Sequence, residues 1–503
     1  MNFLKKIFTR LNVTIILLAV QIIVFAMLMN RIVNFLPYVM ALNYFLGIII
    51  VLWLVKKDDS AAYKIIWIIA VITLPISGVI LYLLFGNTHP IRRIRNRIKE
   101  NSLSALLHKN HHQVEDARVA SFLTYVQQTS AYPAYANTET KYYPFGELMF
   151  EDMLAELAKA KKFIFLQYFI ISKGKMWSKI LGILLQKAEE GVEVRVMFDD
   201  LVSQRLFTRR YEKHLRAKKI KTVRFNPLQS LFSPFMNHRD HRKILVIDGN
   251  VGFTGSVNIT DVSINLEGSY MAMWKDTGVK LKGEAVWSFT IMFAEIWNSF
   301  CKTEDLILNF SSYKCTDNFA SKGLVVPYGD SPLSEERLGE NVYIEILNQA
   351  KEYVYITTPF LIISEKMIYA LQMAAKRGVD VRIITPGLMD WTRAIVQRVT
   401  RSYYKNLLKA GVKIYEYSPG FLHAKNFVSD DKIAVIGTIN LDYRSLYLHF
   451  ECAALLYQTS SINSVKEDFI DTMEQGREIL IDDKRHIFSR FLDAVLHLFA
   501  PLM

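Results

Sequence analysis

Cysteine is scarce. The 503 residues hold three, Cys301, Cys315 and Cys452, with no C-x-x-C spacing; this excludes a disulfide framework and leaves reduced core thiols as the expectation. Acidic residues are also few, 48 against 61 lysines and arginines, for a formal net charge of +13. That deficit points to an anionic partner, either nucleic acid or an acidic lipid surface, and charge alone does not choose between them. A signal-peptide cleavage site is missing too, because FAMLMN behind the first apolar run offers no small-x-small pattern.

Apolar length is abundant. Hydrophobic residues make up 51% of the chain and mean hydropathy is +0.15, high for a soluble protein. Val13 to Met29 is apolar but for Thr14 and Gln21, Phe35 to Val55 is a second stretch, and Tyr63 to Phe85 is a third. A bilayer core needs roughly 20 apolar residues in a helix, so the second and third qualify and the first is marginal. Pro75 and Gly78 in the third are tolerated where neighbouring helices satisfy the backbone. Residues 1–88 are therefore expected to be a membrane region with two or three transmembrane helices, at about 13–29, 35–55 and 63–85. The basic cluster RRIRNRIK, Arg92 to Lys99, opens a juxtamembrane linker over 89–136, and the positive-inside rule sets it in the cytoplasm with the rest of the chain. Three spans would leave Lys5, Lys6 and Arg10 outside; a first segment lying in the interface would bring both ends inside.

Beyond the linker the pattern is α/β and doubled. Phe150 to Ile170 reads as an amphipathic helix, a lysine pair and a strand, and Tyr343 to Ile362 reads the same way. Each is followed by a second helix and strand, Ile180 to Asp200 and Met367 to Gly387, with Gly191 and Gly378 where a helix C-cap glycine belongs. The expectation is two βαβ-containing halves, 137–318 and 319–482, sharing one active site, then a C-terminal amphipathic segment over 483–503.

One motif recurs at corresponding places. The first copy runs His241-x-Lys243, Asp248, Gly255-Ser256-x-Asn258; the second runs His423-x-Lys425, Asp430, Gly437-Thr438-x-Asn440. A single match of this kind has a chance of about 10⁻⁸ per start position from ordinary residue usage. Residues two apart share a strand face, so each histidine projects with its lysine. Two such pairs suit a phosphodiester: lysines neutralise its equatorial oxygens without a metal, one imidazole attacks phosphorus, and the other protonates the leaving oxygen and later deprotonates the incoming alcohol or water. His238, His214 and His449 are read as ordinary core or surface histidines.

The paired pattern resembles the HKD signature of the phospholipase D superfamily, from roughly Asn137 to the C-terminus. NHRDHRK before the first copy, GTINLDYRSLYLHFE after the second, PISGVILYLLFG and the tail FAPLM look like the bacterial cardiolipin synthases. The resemblance implies a multi-pass enzyme of the bacterial plasma membrane that condenses two phosphatidylglycerols into cardiolipin and glycerol through a phosphohistidine. It implies no metal and no cofactor, with phosphatidylglycerol and anionic lipids as partners. His241 would be the nucleophile and His423 the general acid and base, although the residues themselves do not order them. Lys243, Lys425, Asn258 and Asn440 would bind phosphate oxygens, with Ser256 and Thr438 in the same phosphate-binding or supporting group. Asp248 and Asp430 would support the motif by hydrogen bonds or ion pairs, and Glu451 would orient a histidine. Competing readings are a hydrolase, in which water resolves the intermediate, a phosphatidylserine-type transferase, and a membrane-tethered nuclease. The nuclease is disfavoured by the apolar segments and by the lack of a recognisable nucleic-acid module.

Smaller features remain. Trp274 and Asp276 match a family segment and are read as structural, while Glu284 stands where the family usually shows proline. Arg485 to Met503 alternates apolar and basic groups at helical spacing, which fits a helix on a membrane or one packed on the catalytic part. The ten basic residues from Arg205 to Arg224 could rim an anionic headgroup site or coat a solvated helix.

Overall fold

The computed structural model describes residues 10–31, 36–57, 60–86, 92–107, 112–227, 237–266, 273–317, 319–387, 393–481 and 487–502. Lys5 and Lys6 lie outside them. The chain divides into two compact units, one formed mainly by residues 1–91 and the other by most of the remainder.

Among the described residues the first unit holds the α-helices α1 (Arg10–Arg31), α2 (Leu36–Lys56), α3 (Ala61–Thr73) and α4 (Pro75–Phe85). The expected third span is corrected here. Leu74 leaves helical geometry, with φ −125° and ψ 71°, and Pro75 starts a new helix, because proline disfavours α geometry in the residue before it. Gly78 allows α4 to fold back on α3, since a Cβ there would meet the Ala70 carbonyl oxygen at 2.2 Å. Trp67 and Tyr82 close the hairpin with ring centroids 5.3 Å apart. Among the described residues, no helix is long and apolar enough to cross a membrane.

The second unit carries the doubled α/β fold. Its first sheet contains β1 (Thr138–Tyr143), β2 (Phe163–Tyr168), β3 (Glu193–Asp199), β4 (Ile220–Phe225), β5 (Lys243–Ile247), β6 (Val251–Gly255) and β7 (Gly278–Gly283), in the order β1-β7-β6-β5-β2-β3-β4. The second contains β8 (Leu324–Asp330), β9 (Tyr353–Thr357), β10 (Asp380–Pro386), β11 (Lys413–Tyr417), β12 (Asn426–Ser429), β13 (Ile433–Gly437), β14 (Glu451–Tyr457) and β15 (Gly476–Glu478). Its order is β8-β14-β13-β12-β9-β10-β11-β15, the first order repeated with one strand added at the edge. Strand directions repeat as well: β2 is parallel to β3 and antiparallel to β5, and β9 is parallel to β10 and antiparallel to β12.

The crossover helices explain the parallel pairs. Helix α5 (Gly146–Ala158) leads into β2, and α6 (Lys175–Glu189) joins β2 to β3; α8 (Leu338–Gln349) and α9 (Glu365–Lys376) do the same around β9 and β10. Met149, Phe150, Met153 and Leu157 of α5 are buried at helical spacing. Gly191 and Gly378 adopt φ of +93° and +92°, the left-handed geometry that ends α6 and α9. Helix α7 (Val286–Phe300) covers β2, β5, β6 and β7, whose strands β6 and β7 meet β13 of the other half. Every residue of β5 and β13 is therefore buried, which is why both strands lack polar alternation.

One further expectation changes, and one open alternative narrows. Cys301 and Cys452 are buried free thiols, but Cys315 is only half-buried and is not a core residue. The tail helix α11 (Ile487–Leu498) pairs with α10 (Ala394–Leu408): Asp493 accepts from Arg398 Nε at 2.5 Å, and His497 Nδ1 lies 3.0 Å from the Ser402 hydroxyl. Its Phe491 and Val495 point outward, so α11 packs on the catalytic unit by its polar side and keeps an apolar stripe free.

Candidate active site

Each half delivers its histidine on the extended segment just before a buried strand, His241 ahead of β5 and His423 ahead of β12. Backbone bonds between the halves fix both. The His241 N–H donates to the Phe450 carbonyl at 2.8 Å, and the His423 N–H donates to the Lys275 carbonyl at 2.8 Å. Each histidine is thereby laid beside an acid of the opposite half.

Those acids complete two matched networks. His241 Nδ1 lies 2.9 Å from both oxygens of Glu451, which also accepts hydrogen bonds from the Thr438 and Ser445 hydroxyls. His423 Nδ1 lies 2.6 Å from Asp276 Oδ1, and Asp276 also accepts from the Ser256 hydroxyl and, at 2.8 Å, from Trp274 Nε1. An acid on Nδ1 fixes the ring and leaves Nε2 for chemistry. Ser256 and Thr438 thus direct their hydroxyls at the two orienting carboxylates.

Each motif lysine bonds back to its own histidine. Lys243 Nζ donates to the His241 carbonyl at 2.7 Å and Lys425 Nζ to that of His423. Burial lowers Lys243 to about 8 and Lys425 to about 7. Burial also holds His241 well below the ordinary imidazole value, with Lys243, His449, Lys425 and His423 acting in the same direction. His423 is lowered to about 4, by burial and by Lys425. Charges of the second motif act on His241 and charges of the first act on His423, so both motifs share one electrostatic site.

Asp248 and Asp430, grouped with the catalytic residues by the motif, belong elsewhere. Asp248 accepts the backbone N–H groups of Lys161, Lys162 and Phe163 at 2.7–2.9 Å, and Asp430 those of Lys351, Glu352 and Tyr353 at 2.8–3.1 Å. Both sit at positive φ in the turn after their strand, so in the first half the length of β5, about 16 Å at 3.3 Å per residue, separates Asp248 from the histidine end. Their bonds pin the start of β2 and β9. The motif asparagines bond within their own halves: Asn258 Oδ1 accepts from the Ile170 N–H at 3.4 Å, and Asn440 Nδ2 donates to Asp442 at 2.9 Å.

Four participants were not singled out by the motif. Asp276 and Trp274 were read as structural, yet Asp276 stands to His423 as Glu451 stands to His241. The duplication held the signal, but the acids follow their hydroxyl residues by 20 positions in one half and 13 in the other, which hides the correspondence. Phe169 packs edge-on against His241 at 4.9 Å between ring centroids, and the His449 ring lies 5.6 Å from that of His241. Donor atoms of His241, His449 and Glu451 fall within 4.8 Å of one another, the metal-ligating types in reach of one ion. Lys243 beside them would oppose a cation.

A family model described as cardiolipin synthase, phospholipase D-like domain, matches residues 153–297 and 343–473, and one described as phospholipase D-nuclease N-terminal matches residues 45–87. An uncharacterized protein of Streptococcus mutans is 43% identical over 90% of this chain and 99% of its own length. Cardiolipin synthase 1 of Bacillus anthracis is 30% identical over 95% of this chain and 98% of its own. Among solved structures, phosphatidylserine synthase of Haemophilus influenzae Rd KW20 superposes with a TM-score of 0.58 at 16% identity, covering 76% of this chain and 98% of that one, a likeness of fold.

Proposed function

Because the chain belongs to the cardiolipin synthase family of phospholipase D-like proteins, we propose that it transfers a phosphatidyl group between two phosphatidylglycerols, giving cardiolipin and glycerol. The observation that carries the reading is the pair of acid-oriented imidazoles, His241–Glu451 and His423–Asp276, each with its buried motif lysine, Lys243 or Lys425.

In the first step His241 Nε2 attacks phosphorus, the bond from phosphorus to the glycerol oxygen breaks, and His423 gives that oxygen its proton. In the second, a hydroxyl of another phosphatidylglycerol passes its proton to His423 and attacks the phosphohistidine, freeing His241. Two lysines facing the phosphoryl oxygens supply charge that a metal supplies elsewhere. His423 is neutral in the free site; the arriving phosphodiester brings the negative charge that lets it hold a proton.

We propose further that the first unit is a membrane anchor. Support comes from its exposed apolar side chains, among them Ile22, Leu42, Phe45 and Leu52, a surface that water penalises and hydrocarbon does not. In this reading the α3–α4 hairpin, whose helices measure about 20 and 16 Å at 1.5 Å per residue, enters one leaflet and returns. The Arg92–Lys99 cluster that follows the hairpin then faces the cytoplasm. A cavity lined by Lys173, Trp177, Arg205, Arg210, Tyr211 and His214 supports an anionic lipid as ligand.

The test is purified protein in phosphatidylglycerol vesicles, with lipid products and glycerol quantified beside a His241→Ala control. Cardiolipin with equimolar glycerol, absent from the control, is expected. Phosphatidic acid without cardiolipin would move the assignment to a hydrolase.

A further inference from the structure

His449 has no part in the mechanism above, yet it stands against the nucleophile. The backbone places it there: the Phe450 N–H donates to the Arg239 carbonyl, and the His241 N–H donates back to the Phe450 carbonyl, both at 2.8 Å. Residues 449–451 are thus fastened alongside 239–241. Glu451 is spent on Nδ1 of His241, and Phe169 packs on both imidazoles, with centroids 4.9 Å from His241 and 6.4 Å from His449.

Both ring nitrogens of His449 are buried, and among the described residues neither has a hydrogen-bond partner. The nearest acid oxygen, Glu451 Oε1, is 3.9 Å away, too far for a hydrogen bond, and already takes bonds from His241 and Ser445. A buried imidazole with two idle nitrogens destabilises the folded chain unless something else supplies the partner. We propose that the partner is the substrate: His449 is a neutral hydrogen-bond donor to a non-bridging oxygen of the phosphoryl group held at His241.

The surroundings select that ligand. Burial keeps His449 uncharged, and Arg444, Arg239, His238 and Lys243 act in the same direction. An imidazole among cations keeps one N–H, and a phosphoryl oxygen, an acceptor only, matches it and lowers the local positive charge as well. Among the described residues the other motif histidine has no such neighbour. His423 is flanked by Trp274 and Phe421, with centroids 5.2 and 6.0 Å away, so the third imidazole serves one end of the site.

This inference rests on the phosphohistidine chemistry proposed above but not on which alcohol resolves it. The experiment measures turnover of phosphatidylglycerol in vesicles as the sum of cardiolipin and phosphatidic acid, together with thermal unfolding, for His449→Ala, His449→Asn and His449→Phe. Loss of one preorganised donor to a developing oxyanion should lower kcat roughly 10²- to 10³-fold, with KM nearly unchanged, for Ala and Phe. Asn, which keeps an N–H donor at similar reach, should restore much of it. Unfolding temperature should stay the same or rise in Ala, since a buried polar group without a protein partner is removed. Unchanged turnover in Ala, or activity falling in step with unfolding temperature, would overturn the proposal. So would stoichiometric zinc binding that His449→Ala abolishes, because the cluster would then be a metal site. If the wild type makes phosphatidic acid alone, the synthase reading fails while the His449 effect is still read from total turnover.

Discussion

His241 and His423 precede equivalent strands of equivalent sheets, and each takes its orienting acid from the opposite half, but the acids differ. Burial pushes Glu451 up to about 8. Burial would raise Asp276 as well, yet His423 and Lys425 beside it hold it at about 2. With Nδ1–H of the uncharged His241 ring donating to a Glu451 oxygen, the Nε2 lone pair is free, the state of a nucleophile. An ionised carboxylate instead stands ready to stabilise an imidazolium, the state through which an acid and base cycles. Duplication gave both ends one backbone plan, and the acid beside each imidazole separates the roles.

The comparison breaks most completely at the imidazoles. His241→Ala is expected to remove the covalent path and lower turnover by something on the order of 10⁶-fold, with no phosphoenzyme on acid quench. His423→Ala should lose product formation too, yet still form a phosphohistidine when the donor carries a good leaving group. Equal labelling of the two variants would refute the division of roles.

Next come the acids. Asp276→Asn should cost up to roughly 10⁴-fold, as expected when an orienting carboxylate becomes an amide that favours the wrong tautomer. Glu451→Gln should cost less, because a protonated carboxyl is closer to an amide; steady-state rates of the pair at pH 7 decide this. A smaller and different effect is expected at the turn aspartates. Asp248→Ala leaves three backbone N–H groups without their acceptor and should destabilise by about 1–3 kcal/mol, read by denaturant unfolding, with the rate per folded enzyme retained. The smallest effect is a pH shift. Lys425 is charged below about 7 and Lys243 below about 8, so raising pH through this window removes cations from the phosphate site. KM should climb several-fold, and Lys425→Arg, which stays charged, should move that rise to higher pH. A KM profile identical in the variant would exclude Lys425 as the titrating group.

The doubled fold was legible because local signals agreed: helical spacing at Met149, Phe150, Met153 and Leu157, C-cap glycines at 191 and 378, and a polar-free run at Ile244 to Ile247. The third apolar stretch misled because hydropathy counts residues and does not register that Leu74 before Pro75 turns the chain back. That Asp276 and His449 stand beside the two motif histidines was hidden for a related reason. Motif spacing follows one strand, whereas these residues reach the site by pairing with the other half, a contact with no signature in local sequence. Asp248 and Asp430 show the reverse case, with regular spacing that reflects a turn holding two strands together.

The exchanged acids also bear on how the enzyme is made. A chain emerging from the ribosome presents His241 long before Glu451 exists, and His423 gains its neighbours only when the second sheet docks on the first. Until then neither imidazole is held in register beside its acid, and the site is not assembled. Completion of the chain acts as a safety catch, and separately expressed halves, inert alone and active when mixed, would display it.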